Sequence, residues 1–398
     1  MKNGANYSLV ALIRYFLKLG SIGFGGPVAL VGYMHRDLVE QRKWISEDAY
    51  KEGLALSQLA PGPLAAQLCI YIGFVHYRFL GATLVGLAFI LPSFILVVLL
   101  GIAYTHFGGL PWMQALFYGI SAAVIGIISI SAYKLTQKSI SPFSWKSIQE
   151  KWLLWTFFIL TATYTFLTEK EEIFLFIALG ILYLFYQTSW KKKSLTIQSL
   201  PLLLSAVHVK STQSELYEKI ILFFSKAGAF VFGSGLAIVP FLHGGVVGEH
   251  GWLTEKEFLD AVAVAMITPG PVVITVAFIG YLIAGFTGAS LAALATFLPC
   301  YFFTILPAPY FYKIAKNERI KAFVDGITAA VVGALVGSVL VIAGKSIVDI
   351  PTAFIALLSA AVLIYTKKIQ EPQLVLFAGI VGFVLKSYFF YFFSILNY

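Results

Sequence analysis

Hydrophobic residues in this chain fall in long blocks rather than in alternation. In the first half they cover residues 8–34, 50–78, 80–105, 112–133, 152–168 and 173–189. In the second half they cover 217–242, 258–284, 286–312, 322–344, 351–366 and 372–395. A helix needs about 20 apolar residues to cross a bilayer, whereas a barrel strand alternates over about 10. The pattern predicts an all-α polytopic membrane protein.

The order of blocks repeats. Shifting the chain by 208 residues lays Gly20–Pro63 on Gly228–Pro271 without a gap. Phe24 and Gly25 meet Phe232 and Gly233, His35 meets His243, and Trp44 and Glu47 meet Trp252 and Glu255. Pro61, Gly62 and Pro63 meet Pro269, Gly270 and Pro271; Lys18 meets Lys226, and Glu52 meets Asp260. One deletion later, Leu91-Pro92 meets Leu298-Pro299, and Gly119 and Gly126 meet Gly326 and Gly333. Shared hydrophobicity does not explain matched tryptophans, prolines and charges. The chain therefore divides into a repeat over 1–190, a basic linker over 191–216 that contains Lys191, Lys192 and Lys193, and a second repeat over 217–398.

Loop charge sets direction, because cytoplasmic loops carry the excess of Lys and Arg. The 134–151 loop holds Lys134, Lys138, Lys146 and Lys151, while 101–111 has no formal charge and 169–172 is Glu-Lys-Glu-Glu. The counterpart of the uncharged loop is 313–321, with Lys313, Lys316, Arg319 and Lys321. Equivalent loops are thus expected on opposite faces, which makes the repeat inverted. Inversion needs an odd number of crossings per half, yet each half has six blocks. The expected architecture is therefore about ten transmembrane helices plus two re-entrant Pro-Gly-Pro hairpins, 50–78 and 258–284. Irregular backbone is allowed at membrane depth where it lines a cavity. Both termini then fall on the extracytoplasmic face. Lys2 and the apolar stretch after it lack a small-x-small cleavage pattern and are read as the first membrane segment.

Composition agrees with the pattern. Of 398 residues 59% are apolar and only 12% charged, too few to cover the surface of a soluble enzyme, and far too much is apolar for disorder. The net charge of +9 is first a matter of loop orientation and second an attraction for anions. Cys69 and Cys300 lie in apolar blocks and are expected as buried small residues, without a disulfide or metal site. No P-loop, HExxH motif or nucleophile elbow is present, so neither a cofactor nor primary energisation is expected.

Four sets of residues could carry chemistry. The glycine-rich breaks are Phe24, Gly25, Gly26 and Pro27, and in the second half Phe232, Gly233, Ser234 and Gly235. Glycine and proline there interrupt the helical ladder and free backbone N–H and C=O groups. The Pro61-Gly62-Pro63 and Pro269-Gly270-Pro271 turns must separate two half-helices, and a helix starting there offers free N–H groups to an anion. Packing kinks are the plain alternative; matched breaks in both halves favour a binding site. Lys18 and Lys226 precede the breaks, either as substrate contacts or as snorkelling helix-end residues. Glu52 and Asp260 precede the turns, as proton carriers if buried and interfacial acids otherwise. Glycine pairs such as Gly333 and Gly337 read as helix-packing positions.

The F-G-G-P and A-P-G-P motifs, with a W-I-S-E stretch between them and a matched second set, resemble the chromate ion transporter family, in its long two-domain form. The resemblance spans nearly the whole chain. It implies export of chromate, with sulfate as an isosteric relative, driven by the membrane potential or protons, and chromate resistance as the outcome. It places binding on the break and turn residues named above. Ser234 and Gly235 stand where Gly26 and Pro27 do, a departure between the two sites. The expected setting is the plasma membrane. The expected partners are the oxyanion and the lipid bilayer; a homodimer is compatible, and no nucleic acid is involved. Two rivals remain. A carrier of another small anion, such as an organic acid, would use the same breaks. An intramembrane enzyme acting on a lipid phosphate would need a clustered acid, base or metal site.

Overall fold

The computed structural model describes residues 7–24, 26–189, 212–230, 232–233, 235–311, 317–366 and 369–396. Gly25, Ser234 and residues 191–211 of the expected linker lie outside the described residues. The first half runs α1 (Leu9–Ile22), α2 (Gly26–Met34) with a π-helical turn to Gln41, α3 (Glu47–Leu59), β1 (Gly62–Pro63), α4 (Leu64–Phe107), α5 (Pro111–Ser139), α6 (Trp145–Glu150), α7 (Trp152–Thr168) and α8 (Ile173–Ser189). The second runs α9 (Thr212–Phe230), β2 (Phe232–Gly233), α10 (Ile238–His243) with a π-helical turn to Glu249, α11 (Glu255–Ile267), α12 (Thr275–Ile305), α13 (Glu318–Ser346), α14 (Ile350–Tyr365) and α15 (Glu371–Leu396). The described residues are all-α apart from two strands of two residues each. Among the described residues, four helical stretches are long and apolar enough to cross a membrane: Leu64–Phe107, Pro111–Ser139, Val272–Tyr310 and Glu318–Ser346. Shorter apolar helices cover Trp152–Thr168, Ile173–Thr188, Gly235–Glu249 and Ile350–Tyr365.

Matched sequence makes matched local structure. α3 starts on a Ser46 cap whose hydroxyl accepts from the Ala49 N–H at 3.2 Å. α11 starts on Thr254, which forms a reciprocal capping box with Glu257. Both first turns are acidic, as the helix dipole favours. α4 is two helical arms that reverse at Arg78, which has φ 52° and ψ −141°. α12 reverses at the equivalent place, where Gly285 has φ 60° and ψ −151°. The arms pack back on one another through backbone contact of Gly73 with Gly81 and of Gly280 with Gly288, where no Cβ would fit. The Pro-Gly-Pro turn sits at the far end of the returning arm. Tyr71 on that arm packs over Gly53 of α3, so α3 and the arm also run side by side.

The two halves interleave. α7 and α8 of the first half pack on α13 of the second, and α14 and α15 of the second pack on α5 of the first. Glycines seat these contacts: Gly119 and Gly126 of α5 lie against the backbones of α15 and α14, and Gly326 and Gly333 of α13 lie against α8 and α7. Gly337 packs on α7 as well, the packing role expected of it. A continuous core joins Phe16, Phe89, Phe224, Phe258 and Phe278, all fully buried, from both halves.

The loops gather at two ends. At one end Lys345, closing α13, bridges Glu169 and Glu255. At the other, Ile140 after α5 packs in a cluster with Ala322 at the start of α13. α5 and α13 therefore run in opposite senses.

Candidate functional site

The two breaks and two turns meet in the interior, and they meet crosswise. β1, from the first Pro-Gly-Pro turn, pairs in parallel with β2 of the second-half break, Gly62 opposite Phe232 and Pro63 opposite Gly233. The second turn answers with the first-half break: the Gly270 N–H donates to the Gly23 carbonyl at 2.9 Å. Both turn glycines have positive φ, +138° at Gly62 and +96° at Gly270, values that a residue with a Cβ rarely adopts. Pro61 is half-buried and Pro63, Pro269 and Pro271 are buried. Gly26 also has positive φ, +72°, and with Pro27 opens α2.

Three side chains that the sequence reading missed support this junction. The Ser93 hydroxyl donates to the Pro269 carbonyl at 2.8 Å and lies 3.3 Å from the Gly20 carbonyl. Cys300 occupies the matched place, its Sγ 3.1 Å from where a Cβ on Gly62 would stand. Gln67 is fully buried and donates from Nε2 to the Pro61 carbonyl at 2.8 Å. Ser93 and Cys300 each follow the matched Leu-Pro pair, and Gln67 is a polar residue inside an apolar block; those were the available signals. The cysteines are buried and free, as expected.

The start of α4 is the most open part of the junction. Pro63 stands at the N-cap without a side-chain cap. The parallel pairing of Pro63 with Gly233 engages the Leu64 N–H, while the first turn that Leu64, Ala65 and Ala66 form has no side-chain cap. All three residues are buried. A buried helix start without a side-chain cap favours a negative partner. In the second half the equivalent turn tightens into a 3-10 helix, Val272–Ile274. There the Ile274 N–H donates to the Pro271 carbonyl at 2.9 Å and the Thr275 hydroxyl to the Val272 carbonyl at 2.7 Å.

The lysines lie apart from the junction and from each other. Both are exposed. Lys18 lines a cleft of about 430 Å³ with Gly23, Phe24, Arg36, Arg42 and Gln370. Lys226 lines one of about 540 Å³ with Phe230, Gly244, His250 and Glu171. The clefts are built from matched positions but open at opposite ends of the bundle. The first reaches the Gly23–Phe24 break directly. Phe24 is 38% exposed there. Arg42 in the first cleft becomes His250 in the second. Burial holds His250 below the ordinary imidazole value; Glu249 opposes this, and Lys219 and Lys226 add to it.

The two acids differ. Glu52 is half-buried, within hydrogen-bonding reach of Tyr71. Asp260 is 1% exposed. Its Oδ2 accepts from the Tyr104 hydroxyl at 2.7 Å. The matched histidines are structural: His35 bonds Glu47 at 3.0 Å and His243 bonds Glu255 at 2.6 Å.

Comparison with known proteins agrees with this architecture. The family model described as chromate transporter matches residues 10–185 and 218–383. The chain is 58% identical to a chromate transport protein of Cupriavidus metallidurans, over 95% of this chain and 93% of that one. It is 55% identical to a probable chromate transport protein of Synechococcus elongatus, over 96% of each. A chromate transport protein of Pseudomonas aeruginosa is 28% identical over 94% of this chain and 92% of its own length. No solved structure matches. With a multi-pass apolar fold and matches spanning almost its whole length, the chain belongs to the chromate transporter family, membrane transporters rather than enzymes.

Proposed function

We propose that this protein is a secondary transporter that exports a divalent tetrahedral oxyanion, chromate, and thereby confers chromate resistance, with sulfate as a competing isostere. The observation that carries the reading is the crossing of the two breaks and two turns in the interior, where α4 starts on a buried first turn with no side-chain cap. An oxyanion seated there exchanges its hydration shell for fixed N–H donors and the positive end of the helix dipole. Gly23 and Phe24, with Gly26 and Pro27 behind them, and the Phe232–Gly233 strand cross the two turns; Gly25, Ser234 and Gly235 belong to the same breaks by sequence. Lys18, Arg36 and Arg42 draw anions into one cleft, and Lys226 serves the other.

The halves act as an inverted repeat, 1–190 and 217–398, joined by the linker 191–216. Support comes from α5 and α13 running in opposite senses, and from matched clefts at opposite ends. α3 and the returning arm of α4 are each about 20 Å long at 1.5 Å per residue, short of the ~30 Å hydrocarbon core. That length suits a hairpin that enters and leaves the same face. With its second-half counterpart it leaves about ten crossings. Rocking of one half against the other at the crossed junction would open the two clefts in turn. Glu52 and Asp260 are the candidate proton carriers.

Chromate accumulation by everted membrane vesicles, with sulfate in competition, tests the reading. Saturable chromate uptake reduced by sulfate is expected. Uptake of an organic acid without chromate uptake would favour the other carrier class, and absence of any anion flux would overturn the proposal.

A further inference from the structure

A third cleft, of about 710 Å³, opens at the end of the bundle where Lys345 bridges Glu169 and Glu255, between α5, α11, α15 and the close of α13. It is separate from the crossed junction. Two buried polar atoms on its lining residues lack partners among the described residues: Asp260 Oδ1 and Ser346 Oγ. One is an acceptor and one can donate. Two further ammonium groups line the cleft, Lys256 and Lys386, the second of them in the field of the Asp349 carboxylate. Lys256 lies one helical turn before Asp260 and makes no ion pair among the described residues. Lys386 sits 4.7 Å from the Tyr118 ring centroid, and the Tyr118 hydroxyl donates to Asp349 at 2.6 Å. Lys345, by contrast, is taken up by its two carboxylates.

A ligand that answers both walls must be negative, to meet Lys256 and Lys386, and must bring a proton to the Asp260 carboxylate. A bare dianion beside an ionised carboxylate is repelled; one proton between them turns repulsion into a hydrogen bond. We propose that this cleft is a second binding site for the tetrahedral oxyanion, which it takes up together with one proton shared between the anion and Asp260. This rests on the transport reading above and adds a stage to it: the acidic 169–172 loop marks this end as extracytoplasmic, so for an exporter the cleft is the last station, where anion and proton are held together before release. The groups facing Asp260 are Tyr104 from α4, Ser121 from α5, Lys256 and Glu257 on its own helix and Lys386 from α15, with Glu255 and Lys345 at the lip. Of these, Tyr104 holds Oδ2 and leaves Oδ1 for the ligand.

The test uses full-length protein in lipid nanodiscs carrying Gln114→Cys, at an exposed residue of the cleft wall. Native Cys69 and Cys300 are fully buried and should not react. The rate of maleimide labelling is followed with sulfate, chromate or acetate present, from pH 8 to pH 6. Sulfate and chromate should slow labelling and acetate should not. Apparent affinity should rise toward acid, by up to about tenfold per pH unit for one bound proton. In Asp260→Asn an amide donor replaces the proton, so protection should persist and its pH dependence vanish. Lys256→Gln, at an exposed position that folding does not need, should weaken protection about tenfold. Chromate transport by the same preparation in liposomes separates the two readings. Transport without anion protection overturns the cleft site; protection without transport overturns the carrier reading; absence of both overturns both. Protection by acetate alone overturns the tetrahedral specificity, and a pH dependence unchanged in Asp260→Asn overturns the shared proton.

Discussion

The segments that follow Pro63 and Pro271 occupy matched places in the two halves but offer different chemistry. After Pro63 the chain enters an α-helix at once, on a buried first turn without a side-chain cap, and Gln67 braces the turn from within. After Pro271 it makes a 3-10 turn whose carbonyls are met by Ile274 and Thr275. The clefts diverge in the same direction: the first carries Arg36 and Arg42 where the second carries Gly244 and His250. The matched segments thus share a scaffold and differ in how the helix after the turn begins. The second copy is also tied down more firmly: buried His243 bonds Glu255, and Lys345 joins Glu255 to Glu169 of the first half, whereas half-buried His35 and exposed Glu47 pair within their own half.

The largest effect should come from the turn glycines. A Cβ on Gly270 falls on Ser93 Oγ and within 3.4 Å of the Gly20 carbonyl. On Gly62 it meets the Gln67 amide at 2.7 Å and Cys300 Sγ at 3.1 Å, side chains with some freedom to move. Gly270→Ala should therefore cost about 3 kcal/mol or more, and Gly62→Ala about 1–2 kcal/mol. Thermal unfolding in detergent measures both. Transport per folded molecule should nonetheless suffer most in Gly62→Ala, because its turn leads into the helix start that has no side-chain cap. Equal losses in the two variants would erase the functional asymmetry.

Next come the matched histidines. His243→Gln should cost about 2 kcal/mol, since it breaks a buried bond to Glu255, and His35→Gln less than about 1 kcal/mol. Similar costs would mean that the second half is not the more tightly held.

Arg78 and Gly285 give a smaller and opposite effect. Arg78 adopts a backbone conformation proper to glycine, so Arg78→Gly should stabilise by about 1 kcal/mol. Gly285→Ala should destabilise by a similar amount. If Arg78→Gly destabilises, its side chain outweighs its backbone strain.

The smallest is electrostatic. His250 is held below the ordinary imidazole value, so it is neutral at pH 7 and gains charge only on acidification below about pH 6.5. His250→Arg should make the Lys226 cleft resemble its counterpart. Anion affinity from that end should rise about two- to fivefold at pH 7, with less change between pH 7 and pH 5. Binding titrations at the two pH values check this, and an unchanged affinity would show that the clefts do not steer anions.

Much of the site was written locally. Proline on both sides of Gly62 and Gly270 prohibits helix, so the turns were legible. Lys18 and Lys226 looked like site residues because they sit in apolar blocks near the breaks. Their exposure at separate clefts depends on how the helices pack, which one-dimensional spacing does not encode. Ser93, Gln67 and Cys300 were passed over for the same reason: a single polar or sulfur atom in an apolar block has no period to reveal its partner.

By itself the sequence determined that the chain is helical and membrane-bound, that it is built from two matched halves, and where each half must break. Those properties follow from block length, composition and residues with restricted or unrestricted φ, all of which act over a few residues. Only the tertiary structure decided that the breaks cross between halves, with Gly62 beside Phe232 and Gly270 beside Gly23, and that Asp260 is buried against Tyr104. Such pairings join residues more than 150 positions apart, and close packing of glycine-lined helices selects them.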